Sequence, residues 1–218
     1  RDGIHSGTSG TLTFTDSAVH ADSTYKYRIA AEDIHGNISL QSNEVIITYT
    51  VSTLYIKAIP EGFYNSSGKK LRIKDTVKVY LHTNVSPYSV IDSSVSVIDT
   101  ASFAGTFRFF NAHGGLYYLV IKHRNTIETW SRTGGETFIP GTIMNYDFTS
   151  SSSQAFGNNL VQVDISPATY AIYSGDVNQD GIVDLNDIVL TYNDANVFAT
   201  GYKVTDLTGD NLTDLNDV

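Results

Sequence analysis

The chain has 218 residues and carries 14 Lys and Arg against 23 Asp and Glu, which gives a formal net charge of −9. This acidic balance argues against nucleic-acid phosphates as a partner. Cysteine is absent, which excludes disulfide bonds and thiol chemistry, and no apolar run approaches the roughly 18 residues that a membrane-spanning helix needs.

Residue types that favour strands dominate most of the chain. Tyr, Thr, Ser, Val and Ile are abundant, whereas apolar residues at helical spacing are nearly missing before Asp184. We therefore predict a mainly β protein with little helix before that residue. The length accommodates two small domains and a short C-terminal module, which we place at residues 1–50, 51–173 and 174–218.

Three strands are predicted in the first 50 residues, namely Thr11–Thr15, Ser23–Glu32 and Asn43–Thr50. Apolar and polar residues alternate along the second strand, which puts Tyr25 on its apolar face. The turn after this strand spans residues 33–37, where Gly36 supplies a positive φ.

Two stretches of this region resemble the C-terminal half of a fibronectin type III domain, namely Ala21-Asp-Ser-Thr-Tyr-Lys-Tyr-Arg-Ile-Ala-Ala and Ser42-Asn-Glu-Val-Ile. The resemblance implies half a β-sandwich in which Tyr25 is the corner tyrosine. Half a sandwich exposes an apolar face and an open edge, so we expect residues upstream of Arg1, or a neighbouring chain, to cover that face.

A second β-domain is predicted from about Val51 to Tyr173. Turns recur every 8–12 residues or so, as in a β-sandwich, and the apolar run at 116–121 predicts a central strand. The stretch 105–121 resembles part of the carboxypeptidase-regulatory and transthyretin-like sandwiches, while Ser150–Asn159 is predicted to be a loop with little to order it. The predicted strands are Leu54–Ile59, Asp75–His82, Ser94–Ile98, Ser102–Phe110, Leu116–His123, Thr126–Ser131, Ile143–Thr149 and Thr169–Tyr173.

One basic cluster in this domain, Lys122-His-Arg-Asn125, lies close in sequence to the single tryptophan, Trp130. In one interpretation Trp130 stacks on a sugar ring while Arg124 and Asn125 bind its hydroxyls. In the other, Trp130 packs at the rim of the sandwich and the basic cluster is a solvated hairpin end.

Catalytic and zinc-binding patterns are missing from the sequence. No motif places a partner carboxylate beside Glu61, Glu128 or Glu136, and no Gly-x-Ser-x-Gly elbow occurs. The six histidines do not form a metal-binding spacing such as His-x-x-x-His. We therefore expect that the chain is not an enzyme.

Two twelve-residue stretches near the C-terminus share one acid spacing. They are Asp176-Val-Asn-Gln-Asp-Gly-Ile-Val-Asp-Leu-Asn-Asp187 and Asp206-Leu-Thr-Gly-Asp-Asn-Leu-Thr-Asp-Leu-Asn-Asp217. Oxygen-bearing side chains fall at positions 1, 3, 5, 9 and 12, as in a loop that wraps one Ca²⁺. Position 6 needs a positive φ, which Gly181 adopts freely and Asn211 tolerates better than most residues.

The predicted cofactor is calcium, bound at two sites. Ca²⁺ takes six to eight oxygens and neutralises carboxylates that otherwise repel one another, and position 7 contributes its backbone carbonyl. The side chains of Ile182 and Leu212 are therefore free to enter a core, and Thr208 in place of Asn178 predicts that the second site is weaker. The predicted ligands are Asp176, Asn178, Asp180, Ile182, Asp184 and Asp187 in the first loop, and Asp206, Thr208, Asp210, Leu212, Asp214 and Asp217 in the second.

Residues 174–218, with the opening Gly175-Asp-Val-Asn-Gln-Asp-Gly, resemble a type I dockerin. The resemblance implies a calcium-binding module with one helix after each EF-hand-like loop and a cohesin as its partner. Two departures stand out. Leu185-Asn186 and Leu215-Asn216 replace the Ser/Thr pair of many cohesin-binding dockerins, and the chain stops at Val218, so we expect a truncated module with one helix.

A helix is predicted directly after the first of these loops. Asp184 is placed to cap its N-terminus, and Asp187 follows at the third helical position. An apolar stripe at helical spacing is formed by Ile188, Val189, Tyr192, Ala195 and Val197.

Calcium is plentiful outside cells and scarce inside, so the loops predict an extracellular or cell-surface location. We expect a non-catalytic region of a secreted bacterial protein, for which three roles are open. The module docks onto a cohesin-like or other protein, the chain assembles with itself into a filament or surface layer, or the chain is the glycan-binding tail of a polysaccharide-degrading enzyme.

Overall fold

The computed structural model describes residue 2 and residues 7–11, 13–20 and 22–218. The chain divides into two compact units, Arg1–Val51 and Ser52–Val218. Several β-sheets and a single α-helix, α1 (Leu185–Ala195), occur in the described ranges, which confirms a mainly β chain with little helix before Asp184. None of the described helices is long and apolar enough to cross a membrane.

The first unit contains two antiparallel strands, β1 (Ser23–Tyr27) and β2 (Val45–Tyr49). Both are shorter than predicted, because serine side chains replace strand bonds beyond Tyr27. Ser42 Oγ accepts the Ile29 N–H at 3.1 Å, and Ser39 Oγ accepts the Ala31 N–H at 2.9 Å.

The predicted strand Thr11–Thr15 is wrong. Residues 11 and 13–15 form no strand, and Leu12 lies outside the described residues. Local hydroxyl bonds compete with strand pairing here, since the Ser9 and Thr11 hydroxyls both donate to the Thr13 carbonyl.

Tyr25 is buried, and its hydroxyl accepts the His20 N–H at 2.6 Å. The hydroxyl therefore bonds to a backbone group five residues upstream. The turn at 33–37 forms as predicted, with Gly36 at φ +85° and Asp33 Oδ1 accepting two backbone N–H groups. Ala21, the first residue of the predicted fibronectin-like stretch, lies outside the described residues.

The second unit is built mainly from two sheets. Its strands are β3 (Ser52–Lys57), β4 (Tyr64–Asn65), β5 (Lys70–Leu71), β6 (Asp75–Thr83), β7 (Val90–Ile98), β8 (Ala104–Phe109), β9 (Gly115–Lys122), β10 (Thr129–Trp130), β11 (Glu136–Phe138), β12 (Ile143–Asp147), β13 (Val161–Ile165) and β14 (Ala168–Ala171). One sheet has the order β12-β3-β8, with β12 parallel to β3. The other has the order β10-β9-β6-β7, and β11 pairs with the start of β9, which is the central strand that the apolar run predicts.

The two sheets bury a common core and so form a β-sandwich. Alternate residues of β6, such as Val79 and Leu81, point inward against β3 and β8. Leu54 and Phe107 are fully buried in the same core. Burying each such side chain contributes about 1.5–3 kcal/mol.

Ser150–Asn159 is ordered, so the prediction of a loop with little to order it is wrong. It forms two 3-10 helices, Ser152–Gln154 and Phe156–Asn158. Ala155 between them is buried and pairs with Ser131, while the Tyr146 hydroxyl donates to the Gln154 carbonyl at 2.6 Å. The short strands β4, β5, β11 and β13 were not predicted, since two to five residues carry little periodicity.

Candidate metal-binding loops

The first loop (Asp176–Asp187) and the second loop (Asp206–Asp217) repeat the same hydrogen bonds at matching positions. The carboxylate at position 12 accepts the N–H of position 9 at 3.0 Å in the first loop and 2.9 Å in the second. The carboxylate at position 1 accepts the N–H of position 6 at 3.1 and 3.2 Å, and the carboxylate at position 5 accepts the N–H of position 7 at 3.0 Å in both. These carboxylates belong to Asp187 and Asp217, Asp176 and Asp206, and Asp180 and Asp210. The shared spacing therefore produces one shared loop conformation.

Left-handed backbone occurs at two positions of each loop. Position 6 has φ +88° at Gly181 and +68° at Asn211, as predicted. Position 4, which was not predicted, also has positive φ, +62° at Gln179 and +72° at Gly209. Left-handed residues turn the chain sharply, so each loop folds back on itself around its own side-chain oxygens.

Two predicted ligand atoms are buried without a hydrogen-bond donor. They are Oδ1 of Asp176 at position 1 of the first loop and Oγ1 of Thr208 at position 3 of the second. Unpaired buried oxygens are rare in folded proteins, and a bound cation would satisfy both. The predicted positions therefore fit a cation that binds oxygen.

Carboxylates alone do not make up these sites. In the described part of the chain, no three or more His, Cys, Asp and Glu side chains are clustered as a metal site. The predicted ligand sets also draw on the Asn178 amide, the Thr208 hydroxyl and the backbone carbonyls of Ile182 and Leu212. A cation held by such mixed oxygens is a hard one such as Ca²⁺.

The electrostatics of the first loop also favour a cation. Burial raises the pKa of Asp176, and the negative charges of Asp187 and Asp180 raise it further. Burial pushes the pKa of Asp187 upward too, but the backbone N–H groups of Asp184, Asn178 and Val177 outweigh it and lower that pKa. The positive charge nearest to this loop is that of Lys122, which lines the same pocket as Asp176 and Asp180 but forms its ion pair with Glu128 at 2.7 Å.

The helix after the first loop begins as predicted. Asp184 is the N-cap of α1, its side chain accepts the Asn186 N–H at 2.7 Å, and Asp187 completes a capping box. The loop and the helix therefore share Asp184 and Asp187.

The predicted apolar stripe is mostly exposed, and Ala195 is its single buried member within α1. The buried side of α1 consists of Asp187, Thr191 and Ala195. Ile188, Val189, Tyr192 and Val197 are exposed, and so is Ile182, whose side chain is 62% accessible and enters no core.

The second loop packs against the sandwich through Arg124 and Asn125, for which the sequence predicted other roles. Arg124 Nη2 lies 3.2 Å from Asp206 Oδ2, Arg124 Nε lies 2.8 Å from Asp75 Oδ2, and Arg124 Nη1 donates to the Lys203 carbonyl. Asn125 Nδ2 donates to the Asp206 carbonyl at 2.9 Å. Both predicted roles for Arg124 and Asn125, sugar binding and a solvated hairpin end, are wrong, since the two side chains are buried in this contact.

Two glycines permit the close approach of the second loop. A Cβ at Gly62 would lie 2.1 Å from the Leu207 carbonyl oxygen, and one at Gly209 would lie 2.9 Å from the ring of Phe63. Phe63 belongs to the 3-10 helix Glu61–Phe63 and is fully buried. The sequence holds no signal for this contact, because Arg124 and Asp206 are 82 residues apart.

The first loop touches the sandwich less. Gly175 N–H donates to the Asn125 carbonyl at 2.8 Å, and Gln179 Nε2 donates to the Thr126 carbonyl at 3.2 Å. Residues 178–186 are exposed to solvent. The first loop therefore contacts the sandwich mainly near its start, whereas the second loop packs against the sandwich through Asp206 and Gly209.

No family model and no curated protein matches the chain. Two solved structures that match it are interface mutants of the type II cohesin–X-dockerin complex from Acetivibrio cellulolyticus, one altered at the C-terminal interface and the other at the N-terminal interface. Each is 17% identical to this chain, with 77% of this chain and 90% of the matched chain covered, and the TM-scores are 0.41 and 0.43.

Proposed function

We propose that residues 174–218 form a dockerin-like module that binds Ca²⁺ through both loops, in a non-catalytic, extracellular assembly protein. The observation that carries this proposal is the repeated loop geometry, in which equivalent carboxylates turn inward on matching backbone N–H groups. The buried, donor-less Oδ1 of Asp176 supports a cation in the first loop.

The first loop is the tighter site in this proposal. Asn178 supplies an amide oxygen at position 3, whereas Thr208 supplies a hydroxyl, which is a weaker ligand. Extracellular loops of this kind bind Ca²⁺ with dissociation constants on the order of 10⁻⁴–10⁻³ M. The ligands proposed for each loop are the six predicted from its spacing.

Calorimetry with and without EDTA tests calcium binding. We expect Ca²⁺ to raise the melting temperature and to protect 176–195 from proteolysis, because the ion binds the folded loop alone. Asp180→Ala should remove most of the protection in the first loop, while Asp147→Ala, an exposed acid in β12, serves as the control. Equal melting and equal proteolysis with Ca²⁺ and with EDTA would sink the calcium proposal.

The exposed apolar side of α1 supports a protein partner. Leu185, Ile188, Val189 and Tyr192 are between 48% and 70% accessible, although they lie on a helix that the calcium loop anchors. Apolar helix faces of this kind bind grooves or flat faces on other proteins. Following the dockerin resemblance, we propose a cohesin-like partner.

Binding to an immobilised cohesin module tests this partner. We expect Ca²⁺-dependent binding that is lost in Ile188→Asp and kept in Val95→Asp, which alters an equally exposed apolar residue of β7. Calcium-dependent dimers or larger species in light scattering, without cohesin binding, would instead favour assembly of the chain with itself.

An aromatic cluster favours glycan binding as a second candidate function. Trp130 has ring centroids of His82, Tyr118 and Tyr88 within 4.8, 5.4 and 6.0 Å, and Tyr88 is 46% accessible. Aromatic rings with polar neighbours are a common sugar-binding surface. Glu128 lies beside the cluster, where it accepts the Trp130 Nε1–H at 2.7 Å.

A glycan array decides this candidate. Binding that is lost in Trp130→Ala and Tyr88→Ala, but kept in Phe110→Ala at a separate exposed aromatic, would support it. Equal signals for all four proteins, or no signal for the parent chain, would reject it.

A further inference from the structure

An arginine of the sandwich forms an ion pair with the second loop, and among the described residues no such pair is made with the first loop. The Arg124 side chain is 6% accessible and lies 3.2 Å from the position-1 carboxylate of Asp206, which is itself 0% accessible. The ring centroids of Tyr202 and Phe63 lie 4.4 and 5.2 Å from the centre of the guanidinium. Arginine keeps its charge at any pH in which the protein folds, so this charge is permanent.

Among the described residues, no carboxylate of the first loop forms an ion pair with a Lys, Arg or His nitrogen. Lys122 lines the same pocket as Asp176 and Asp180, but its ammonium pairs with Glu128 at 2.7 Å. Its position-1 oxygen, Oδ1 of Asp176, is buried without a donor. The matching oxygen of Asp206 accepts two backbone N–H groups, from Gly209 at 2.8 Å and Asp210 at 3.1 Å.

We propose that Arg124 is the resident cation of the second loop, and that this loop stays folded on the sandwich without Ca²⁺. This inference rests on the proposed function, since it concerns which cation compensates the carboxylates of each loop. The first loop depends on a bound ion. In the second loop, Arg124 already compensates part of the negative charge. A Ca²⁺ ion that binds there therefore shares the Asp206 carboxylate with the Arg124 guanidinium.

The geometry gives Arg124 this role rather than a general one in packing. Its fork reaches Asp75 in β6 and Asp206 in the loop at the same time, so one guanidinium joins two buried carboxylates. Breaking a buried pair of this kind leaves an uncompensated charge. Without Arg124, Asp206 would need another cation, and Ca²⁺ is the one that the loop is shaped to accept.

Hydrogen–deuterium exchange of the full chain tests the proposal, with Ca²⁺ and with EDTA. The reporters are the loop amides that donate to carboxylates, at 208–211 in the second loop and at 177, 178, 181 and 184 in the first. In the parent chain we expect EDTA to speed exchange at least tenfold in the first loop and less than threefold in the second. A second loop that opens with EDTA as far as the first does would overturn the proposal.

Arg124→Met removes the charge and keeps most of the side-chain volume. We expect its second loop to open at least tenfold in EDTA and to regain protection with Ca²⁺, which then replaces the missing cation. Lys74→Met, which breaks an exposed ion pair with Asp99, is the control and should behave like the parent. Protection of the second loop in EDTA despite Arg124→Met, or an opening that Ca²⁺ does not reverse, contradicts the proposal.

A second variant keeps the test decisive if Arg124→Met also loosens β6 and β9. Asp206→Asn leaves Arg124 and the sandwich intact but removes the carboxylate, so we expect the second loop to open at least tenfold in EDTA. Unchanged protection would show that the charge pair does not hold the loop. Failure of calcium binding is distinguished from failure of this proposal by the first loop. If the chain does not bind Ca²⁺, exchange in the first loop is the same with Ca²⁺ and with EDTA.

Discussion

The two loops have nearly the same acid spacing and share internal hydrogen bonds, yet they differ in how closely they pack against the sandwich. The first loop is solvent-exposed over residues 178–186. The second loop is pressed against Phe63, Arg124 and Asn125 of the sandwich. The conformation of each loop follows from its local residue spacing. How far its carboxylates are compensated by positive charge depends on the residues that lie against the loop.

This difference changes what a repeated sequence pattern means. In the first loop the position-1 carboxylate has an unpaired buried oxygen, and in the second the equivalent carboxylate is fully bonded to N–H groups and to a guanidinium. Equal spacing therefore does not imply equal affinity for an ion. Exchanging or removing single residues tests how far the difference extends.

The largest effect is expected at position 4, where the loops carry Gln179 and Gly209. We expect Gly209→Gln, which copies the first loop into the second, to lower the free energy of unfolding by about 2–5 kcal/mol. The new Cβ would strike the Phe63 ring and a left-handed backbone would be strained. Urea unfolding measures the change.

The reverse exchange is the control for position 4. Gln179→Gly removes the side-chain hydrogen bonds to the Thr126 and Asp176 carbonyls but relieves a left-handed backbone, so it should change stability by less than about 1 kcal/mol. Equal losses in the two variants would mean that the second loop is not packed more tightly than the first.

Acid should weaken the support of the second loop through Asp75. Burial raises the pKa of Asp75, but the His123 hydrogen bond and charge, the Thr76 N–H and Arg124 together lower it from 3.8 to about 2. Because the folded-state pKa is depressed, the stabilisation is complete above the unfolded value and is lost as the pH falls through the folded one. We expect about 2 kcal/mol to disappear between about pH 4 and pH 2.

Asp75→Asn isolates this contribution. The stability difference between the parent chain and Asp75→Asn should shrink across that pH range, when both are measured by urea unfolding in EDTA. A difference that stays constant from pH 5 to pH 2 would show that the ion pairs of Asp75 do not titrate with folding.

The smallest effect is expected at position 9, where the side chains of the two loops make the same hydrogen bond but only the first one caps a helix. Asp184 caps α1, and Asp214 accepts the Asn216 N–H at the same 2.7 Å, but no described helix follows it. In EDTA we expect Asp184→Ala to lose about 1 kcal/mol of stability and Asp214→Ala to lose less. Circular dichroism at 222 nm should fall more in Asp184→Ala, and an equal fall in both variants would contradict this account.

Much of the C-terminal module was predictable because its signals are local. The N-cap Asp184, the capping acid Asp187 and the positive φ at position 6 depend on residues a few places apart. The central strand β9 was predictable for the same reason, since its apolar run is continuous.

The remaining features depend on contacts that local patterns do not contain. Burial of Arg124 depends on Asp206, far along the chain, and the exposed side of α1 depends on which neighbours the helix meets. The early end of β1 has another cause, because Ser39 and Ser42 offer side-chain oxygens where strand carbonyls were expected. Hydrophobic periodicity reports which face is apolar, but it does not report whether anything covers that face.

Isothermal titration calorimetry with Ca²⁺, on the parent chain, Asp180→Ala and Asp210→Ala, measures calcium binding at each loop separately. We expect two binding events in the parent, the tighter one lost in Asp180→Ala and the weaker one lost in Asp210→Ala. Retention of the tighter event in Asp180→Ala with its loss in Asp210→Ala would reverse the order of the sites. Absence of any binding heat in the parent, together with no shift in its melting temperature, would contradict calcium binding altogether.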